Sequence, residues 1–549
     1  MKKLLTLLWT LPLFMGCGTA HKTASDGGTA EAAGSNPKNA GSFSTQYTNP
    51  VIWADVPDLS VTRAGSDFYL ISTTMHLMPG APIMKSRDLV HWDMTRYVFD
   101  SLTDHSKYNL TGGTVYGRGQ WASSIRYHKG RFYVLFSPND QPFRSYIYTA
   151  TDPSGKWDLL SRMQHFHDAS LFFDEDERVY VFSGTGSLKE LNQDLSGVKP
   201  GGVDQKIFER DPEETGLLEG SQVVKHNGKY YLLMISWPRN GKRRQVCYRA
   251  DKITGPYEKK VILEDNFGGF PYAGQGCIMD DEQGNWYGLV FQDRGGVGRV
   301  PLLMPVRWVD GWPMLGDENG RVPLTGQVPL KTVEAGRRIV DSDDFAGKHL
   351  KTTWQWNHNP VPAAWSLTER RGFLRLKTSR VVDNLYAAPN TLTQRMEGPG
   401  CSGVVAMEVS KMKDGDVAGF SAFNGHSALL SVRKEGSKKY LTMSTHVVNL
   451  DNASKAIRGV EAEEKARIEI TGDRIYLRID GDFRLGKDFA DFYYSADNKS
   501  WIPMGPQFKM RFDYTRLFMG TKFALFNYAT KAPGGYVDID FFTYRRMPG

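Results

Sequence analysis

The sequence predicts an all-β protein in which a five-bladed β-propeller is followed by a β-sandwich. The chain has 549 residues, and at about 100–200 residues per domain it has room for several domains. Its 56 glycines, 27 prolines and 12% aromatic residues favour short strands joined by turns over a helical bundle. Within residues 46–335 a β-rich unit recurs five times, whereas residues 338–549 continue in short strands without that repeat.

Each repeat consists of a turn residue, an aromatic pair and a β-rich run. The aligned tyrosines of the five runs are Tyr69, Tyr133, Tyr180, Tyr231 and Tyr287, in GSDFYLIST, KGRFYVLFS, DERVYVFSG, NGKYYLLMI and GNWYGLVFQ. Similar all-β units of roughly 50 residues are typical of small sheets arranged around a central channel. A second recurring element, in SRDLVHW, ATDPSGKW and ADKITGPY, is interpreted as the outer part of a blade.

Charge and cysteine content exclude several classes of function. The net charge is +7, from 68 basic and 61 acidic residues, and no dense Lys/Arg run lies in the globular part, so nucleic acid is not expected as a partner. The four cysteines Cys17, Cys247, Cys277 and Cys401 are too few and too scattered for a disulfide framework or a cysteine-based zinc site.

The N-terminus has the layout of a bacterial export signal. Lys2 and Lys3 precede an apolar run at 4–15 that is too short to span a bilayer. Gly16-Cys17 resembles a lipoprotein processing site, so residues 1–17 are predicted to be the signal and Cys17 the lipidated residue. A plain cleaved signal with an incidental cysteine is the alternative. Residues 18–45, rich in Gly, Ala, Ser and Thr, are predicted to be a flexible tether. The expected location is the periplasm or the cell surface, with membrane contact through the lipid anchor alone.

Three carboxylates occupy one phase of the repeat. Each blade should begin its innermost strand about a dozen residues before the repeat tyrosine. This position holds Asp58, Asp168 and Glu219 in three blades and Gln275 in the fifth. Equivalent positions in a propeller face the channel, so these acids are predicted to converge. Converging buried acids push their pKa values apart, which lets one site hold a protonated acid and an ionised base. The alternative is that they cap strand starts.

Two carboxylates with opposite protonation are what glycoside hydrolysis requires, because one protonates the leaving oxygen while the other activates water. Trp53, Trp121 and Phe166 lie near the same phase, where aromatic rings either stack on sugars or belong to the core.

The segments NPVIWADVPDLSV, HDASLFFDEDERVYVF, EGSQVVKHNGKYYL and GVGRVPLLMPVRWVDGWPML resemble glycoside hydrolase family 43, the β-xylosidases, α-L-arabinofuranosidases and arabinanases. The resemblance covers roughly residues 46–335. It implies that Asp58 is the general base, Glu219 the general acid and Asp168 the residue that tunes and orients that acid. It also implies that Arg299 binds substrate.

The same resemblance assigns further contacts and shows two departures. Met75 stands at the family's usual aromatic subsite with His76 after it, and Trp121 matches a tryptophan that lines the sugar pocket. Many members have an acid where this chain has Ser123 and Ser124, which is why the third acid is placed at Asp168. Many also have a channel histidine near Gln275 that binds water or calcium. No cofactor or metal is therefore expected to be required, a structural calcium is doubtful, and Gln275 either contacts sugar or fills the channel.

The resemblance implies an exo-acting, inverting hydrolase that removes terminal β-D-xylosyl or α-L-arabinofuranosyl residues from plant hemicellulose oligosaccharides. An inverting enzyme should separate the carboxyls of Asp58 and Glu219 by about 6.5–9.5 Å rather than about 5 Å. Two other functions stay open: a non-catalytic glycan-binding surface lipoprotein, and an endo-arabinanase with an open groove.

The C-terminal part, residues 338–549, alternates short strands and turns, as in ARIEITGDRIYLRIDG and YVDIDFFTYRR. This pattern predicts a β-sandwich, and it resembles the concanavalin-like sandwich appended to many family 43 exo-enzymes. The sandwich either closes the pocket, binds polysaccharide itself or stabilises the propeller. Asp343, Asp344, Asp538 and Asp540 are interpreted as strand-end acids rather than calcium ligands.

Overall fold

The computed structural model describes residues 44–331 and 338–548. It is all-β, with five four-stranded antiparallel sheets followed by two eight-stranded sheets, so the predicted fold class is confirmed. The predicted signal at 1–17 and all but the last two residues of the predicted tether lie outside the described residues. In the described parts of the chain no helix is both long and apolar enough to cross a membrane.

Every blade is built from consecutive strands. The first blade consists of β2 Ser60–Ala64, β3 Asp67–Ile71, β5 Gly80–Ser86 and β6 Asp93–Phe99, and the second of β7 Gln120–His128, β8 Arg131–Pro138, β9 Arg144–Ala150 and β10 Asp158–Gln164. The third blade consists of β11 Ser170–Phe173, β12 Val179–Ser183, β13 Ser187–Leu191 and β14 Asp204–Lys206, and the fourth of β15 Leu217–His226, β16 Lys229–Trp237, β17 Arg244–Ala250 and β18 Glu258–Leu263. The fifth blade consists of β19 Ala273–Asp280, β20 Trp286–Asp293, β21 Arg299–Val309 and β22 Trp312–Leu315. The repeat tyrosines lie on the second strand of each blade.

The first strands of the five blades (β2, β7, β11, β15 and β19) contact one another in a closed ring and form the channel wall. Serine hydroxyls join neighbouring blades at this ring. The Oγ of Ser60 accepts from the amide of the second blade, that of Ser124 from the third and that of Ser170 from the fourth, at 3.1–3.2 Å. Ser124, one of the two residues that depart from the family motif, therefore has a structural use.

A two-stranded clasp closes the propeller. β1 (Thr45–Thr48) pairs antiparallel with β23 (Thr325–Val328), so the segment that precedes the first blade is hydrogen-bonded to the segment that follows the last.

The sandwich consists of two antiparallel sheets. Its strands are β24 Gln355–Asn357, β25 Trp365–Ser366, β26 Leu374–Lys377, β27 Leu392–Arg395, β28 Gly400–Glu408, β29 Asp416–Phe423, β30 His426–Glu435, β31 Lys438–Leu450, β32 Ile457–Ile470, β33 Arg474–Asp482, β34 Phe489–Ser495, β35 Ile502–Pro503, β36 Phe508–Lys509, β37 Lys522–Ala529 and β38 Tyr536–Met547. One sheet has the order β32-β31-β30-β29-β37-β27-β24, and the other β25-β26-β38-β28-β33-β34-β35. Phe420, Phe523 and Phe542 pack between them with ring centroids 5.5–6.1 Å apart.

The propeller and the sandwich share one core. β4 (Leu77–Met78), a short strand inside the first blade, pairs with β24 and becomes the edge of a sandwich sheet. One continuous cluster of buried apolar side chains runs from the first and fifth blades into the sandwich. A shared sheet and a shared core fix the two parts more firmly than a small polar interface would. Short 3₁₀ helices lie at Ser106–Asn109, Phe267–Gly269, Gly295–Val297, Pro362–Ala364 and Leu385–Ala387.

Candidate active site

The predicted acids meet at one mouth of the channel. Asp58 and Asp168 each lie two residues before the first strand of their blade, and Glu219 and Gln275 lie near the start of β15 and β19. All four line one pocket at the propeller axis. The pocket is also lined by Met75, Trp121, Leu217, Ile235, Arg243, Phe291, Asp293, Arg299 and Phe518.

Irregular backbone aims these side chains into the pocket. Asp58 and Asp168 adopt left-handed conformations, with φ of 54° and 45°. Glu219 stands at a register shift in the pairing of β15 with β16, and Gly220 follows with φ +75°. A Cβ at Gly220 would lie 2.3 Å from the side chain of Gln275, so only glycine fits here. Bulges and left-handed residues of this kind are typical of functional sites, where they re-aim a side chain.

Asp58 is a buried carboxylate with a cationic neighbour. Its residue is 9% exposed, and Nη1 of Arg299 lies 3.5 Å from its Oδ1. Burial raises the pKa of Asp58, the guanidinium of Arg299 opposes that rise, and the charge of Glu219 adds to it. A carboxylate that has lost part of its solvation is a stronger base than one in water, which suits it to take a proton from water.

Asp168 and Glu219 form the second half of the site, with a histidine between them. Oε2 of Glu219 lies 2.9 Å from Nε2 of His167, which is 4.0 Å from Oδ1 of Asp168. Asp168 is 6% exposed, and burial followed by the charge of Glu219 raises its pKa to about 8. Asp168 therefore holds a proton at neutral pH that it can share with Glu219, an oxygen of which lies within 4.8 Å, so the pair has one proton to deliver to a leaving oxygen.

Several buried polar atoms at the pocket have no partner among the described residues. They are Oδ1 of Asp168, Nε of Arg243, Oδ1 of Asp293 and Nε of Arg299. Buried polar groups are normally hydrogen-bonded, so unmet donors and acceptors in one small pocket indicate a ligand rich in hydroxyl groups. A monosaccharide has this chemistry.

The sandwich supplies one wall of the pocket. The ring of Phe518 lies 5.8 Å from that of Trp121, edge to face, and the guanidinium of Arg299 lies 4.5 Å from the Phe518 ring centre. Nη2 of Arg299 donates to the carbonyl of Phe518 at 3.2 Å. Of the three roles considered for the sandwich, the structure thus shows contact with the pocket, together with the shared core.

Most of the predicted substrate contacts reach the pocket, but His76 does not. Met75, Trp121, Gln275 and Arg299 line it. His76 is fully buried, with its ring 4.8 Å from that of Tyr116 and 5.1 Å from that of His358 of the sandwich. Burial lowers its pKa to about 3. Met75 has a left-handed backbone, with φ of 56°, and the next side chain packs into the domain junction, so the predicted sugar contact of His76 is not supported.

Sequence reasoning missed several residues of the site, among them His167, Arg243, Asp293 and Phe518. His167 is the chain neighbour of Asp168, and that position was the one available signal. Arg243 pairs with Asp293 at 2.9 Å across two strands. Neither this pair nor Phe518 belongs to the repeat phase that identified the acids, because the tertiary fold alone brings them to the pocket.

Two groups of described residues have the spacing of metal ligands. His167, Asp168 and Glu219 offer one nitrogen and two carboxylates, which does not match the oxygen shell of six to eight ligands that calcium takes. Asp211, Glu213 and Glu214 already surround the Lys259 ammonium. The strand-end acids of the sandwich are likewise engaged, Asp538 by Arg370 and Arg375, Asp540 by Arg474, and Asp343 by Trp354.

An arginine occupies the channel wall. Arg126 of β7 donates to the hydroxyls of Ser60 and Ser170 at 3.3 and 2.7 Å and to the carbonyls of Ile125 and Val223 at 2.8 and 3.3 Å. The guanidinium thus links four blades from inside the ring. These oxygens already accept hydrogen bonds from the positively charged Arg126, which disfavours a metal cation at the same place in the channel.

A small pocket with an acid pair of unlike environment defines the class of protein: an enzyme that hydrolyses glycosidic bonds. Residues 47–313 match the profile of glycosyl hydrolases family 43, and residues 342–545 match the beta xylosidase C-terminal concanavalin A-like domain. A beta-xylosidase of Formosa agariphila is 30% identical over 567 aligned positions, which cover 91% of this chain and 90% of that protein. The chain belongs to glycosyl hydrolase family 43.

Solved structures agree in fold. A bifunctional GH43-CE protein of Bacteroides eggerthii is 42% identical with a TM-score of 0.84, over 91% of this chain and 64% of that one. The present chain thus spans about two thirds of that protein. A family 43 enzyme engineered to display both endo-xylanase and exo-arabinofuranosidase activity is 31% identical with a TM-score of 0.83, over 92% of this chain and all of that one.

Proposed function

We propose that the protein is an exo-acting, inverting glycosidase that removes terminal β-D-xylosyl or α-L-arabinofuranosyl residues from hemicellulose oligosaccharides. The observation that carries the proposal is the meeting of Asp58, Asp168 and Glu219 in one pocket walled by Phe518. The relatives named above support it, one being a beta-xylosidase and another displaying exo-arabinofuranosidase activity.

Each acid has one task in the proposed reaction. A water molecule loses a proton to Asp58 while its oxygen bonds to the anomeric carbon. The bond from that carbon to the glycosidic oxygen breaks, and this oxygen takes the proton of Glu219. Asp168, which holds a proton at neutral pH, shares it with Glu219 and so keeps the acid protonated. Inversion follows because attack and departure occur on opposite faces of the sugar.

The sandwich favours exo action. Besides Phe518, its segment at 451–455 lies against the propeller, where Arg118 donates to the carbonyls of Asn452 and Ala453 and Thr114 to that of Lys455. A wall on this side leaves a pocket for one terminal sugar, whereas an endo-arabinanase needs a groove open at both ends. The retained acids count against the second alternative, a glycan-binding lipoprotein, because binding alone does not need three buried carboxylates.

We also propose that the enzyme is exported and lipid-anchored through Cys17 and that it needs no calcium. The apolar run before Gly16-Cys17 supports the anchor, and the engaged channel oxygens around Arg126 support metal independence. Cys17→Ala should move the protein from the membrane fraction to the soluble fraction and abolish palmitate labelling. An unchanged distribution would refute the anchor.

Hydrolysis of 4-nitrophenyl β-D-xyloside and 4-nitrophenyl α-L-arabinofuranoside, with Glu219→Ala alongside, tests the function. Turnover that the variant loses establishes the enzyme and names the sugar. Proton NMR of the first product shows inversion if the opposite anomer appears before mutarotation. Release of monosaccharide alone from xylo- or arabinoxylan oligosaccharides shows exo action, whereas longer products would favour an endo enzyme. No release from either type of substrate would refute the proposal.

A further inference from the structure

His167 lies beside the three acids and is more exposed than Asp168 and Glu219. Its side chain is 35% exposed, compared with 5% for Asp168 and 25% for Glu219. Its Nε2 lies 2.9 Å from Oε2 of Glu219, and its ring lies 5.8 Å from that of Trp121 at the pocket wall. The imidazole therefore contacts the proposed acid directly.

The charges around His167 favour its protonated form. Glu219 faces it from the fourth blade and Asp168 from its own segment, Asp58 acts from the first blade, and His165 lies 6.4 Å away ring to ring. The hydrogen bond to Glu219 is the largest cause of a pKa raised to about 9 for His167, against the effect of burial. As an imidazolium it can only donate, so Oε2 of Glu219 is the acceptor.

From this geometry we propose that His167 is a positioning residue for Glu219 in the proposed hydrolysis. Its imidazolium donates to Oε2, leaves Oε1 to carry the proton toward the leaving oxygen, and stabilises the carboxylate that forms when the proton departs. The inference rests on the proposed function, because it assigns the acid role to Glu219.

Two neighbours of the acid then act in opposite directions. The carboxyl of Asp168 can supply a proton to Glu219, whereas the imidazolium of His167 stabilises the carboxylate that Glu219 becomes. A charge-assisted bond from the imidazolium also favours one orientation of the carboxyl.

His167→Gln and His167→Phe separate charge from position. Glutamine keeps an N–H donor and removes the charge, so the upper pH limit of kcat/KM should rise by about one unit while kcat at its optimum changes less than threefold. Phenylalanine removes both, so kcat on xylobiose should fall roughly tenfold or more. KM should change little in either variant. His165→Gln is the matched control, since that ring does not contact Glu219, and it should leave the profile unchanged.

The leaving group provides the second readout. The 2,4-dinitrophenolate leaving group departs without protonation. The His167→Phe variant should therefore hydrolyse a 2,4-dinitrophenyl glycoside at nearly the wild-type rate while failing on xylobiose. Equal losses on both substrates, or an upper pH limit that does not move in His167→Gln, would overturn the positioning role. Thermal unfolding shows whether the His167→Phe variant is misfolded. If it is, the pH profile of the His167→Gln variant decides whether His167 positions the acid. An inactive wild-type enzyme would instead refute the proposed function, so this outcome is distinguishable from failure of the positioning role alone.

Discussion

Two groups of three acidic side chains lie in the same propeller and have opposite electrostatics. Asp58, Asp168 and Glu219 meet at the channel mouth, and burial raises the pKa of Asp58 and that of Asp168. The second group is Asp211, Glu213 and Glu214. Burial alone would raise the pKa of Glu214, but hydrogen bonds from Ser236, Lys259 and Arg244 bring it below its ordinary value.

The difference lies in the cations supplied to each group. Lys259 contacts all three acids of the second group, and Arg244 adds a bond to Glu214 at 2.9 Å. The first group has Arg299 at 3.5 Å from Asp58 and a histidine beside Glu219, and Asp168 has no cation as close. Acids that are fully paired with cations stabilise a fold, whereas buried acids with few cationic neighbours retain protons that can take part in catalysis.

Removing one acid from each group should give the largest contrast. Asp58→Asn and Glu219→Ala should each lower kcat on xylobiose by about 10²–10⁴-fold, since each removes a proton-transfer group. Glu213→Gln, the half-exposed member of the paired group, should retain wild-type kcat. Steady-state kinetics on all three variants measures the contrast, and a comparable loss in Glu213→Gln would contradict the division of roles.

The wall formed by Phe518 should matter less than the acids. Phe518→Ala removes an aromatic contact of about 1 kcal/mol and should raise KM roughly 5–10-fold, because water and the terminal sugar then share a wider pocket. Tyr514→Ala changes a ring on the same segment that is 71% exposed and should leave KM unchanged. A larger effect of Tyr514→Ala than of Phe518→Ala would show that this wall is misassigned.

Acid-to-amide changes should shift stability in opposite directions in the two groups. The folded-state pKa of Asp168 is raised from 3.8 to about 8, so wild-type stability falls as pH rises through that interval. Asp168→Asn should therefore unfold at a temperature a few degrees higher at pH 8, with little gain at pH 4. Glu214, whose pKa is lowered, stabilises the fold above the unfolded-state pKa, so Glu214→Gln should unfold at a lower temperature near neutral pH.

Calorimetry of these two variants at both pH values is the measurement. The same sign of change in both variants at pH 8 would abolish the distinction between unpaired and paired acids.

The smallest effect on catalysis is expected at Arg126, a cation that no described acid pairs with by direct contact. Arg126→Met leaves the carbonyls of Ile125 and Val223 without this donor and should lower the unfolding temperature by a few degrees, at about 1–3 kcal/mol per unsatisfied group, with KM within twofold. EDTA should leave the wild-type melting curve unchanged. A calcium-dependent gain in melting temperature would refute the proposal that the enzyme needs no calcium.

Much of the fold could be predicted because the repeat is local. The tyrosine of each unit lies on the second strand of a blade, and SRDLVHW, ATDPSGKW and ADKITGPY lie between the third and fourth strands. Antiparallel strands joined by short turns carry their pattern in neighbouring residues. The β4–β24 pairing joins residues nearly 280 positions apart, and no local pattern announces it.

The site divides in the same way. Asp58, Asp168 and Glu219 share a phase of the repeat, so periodicity alone predicted that they meet. His76 was assigned to the pocket from its neighbour Met75, but it lies at the domain junction against His358. Phe518, from the sandwich, lines the pocket beside Trp121, and the repeat of the propeller could not predict this contact.

The sequence by itself determined the five blades, the sandwich and the convergence of the acids, because each follows from a period that short-range packing enforces. Only the tertiary structure decided which acids stay unpaired, which histidine reaches Glu219 and which ring from the sandwich closes the pocket. Those outcomes depend on charges and contacts between segments hundreds of residues apart, and a pKa responds to distance in space rather than to position in the chain.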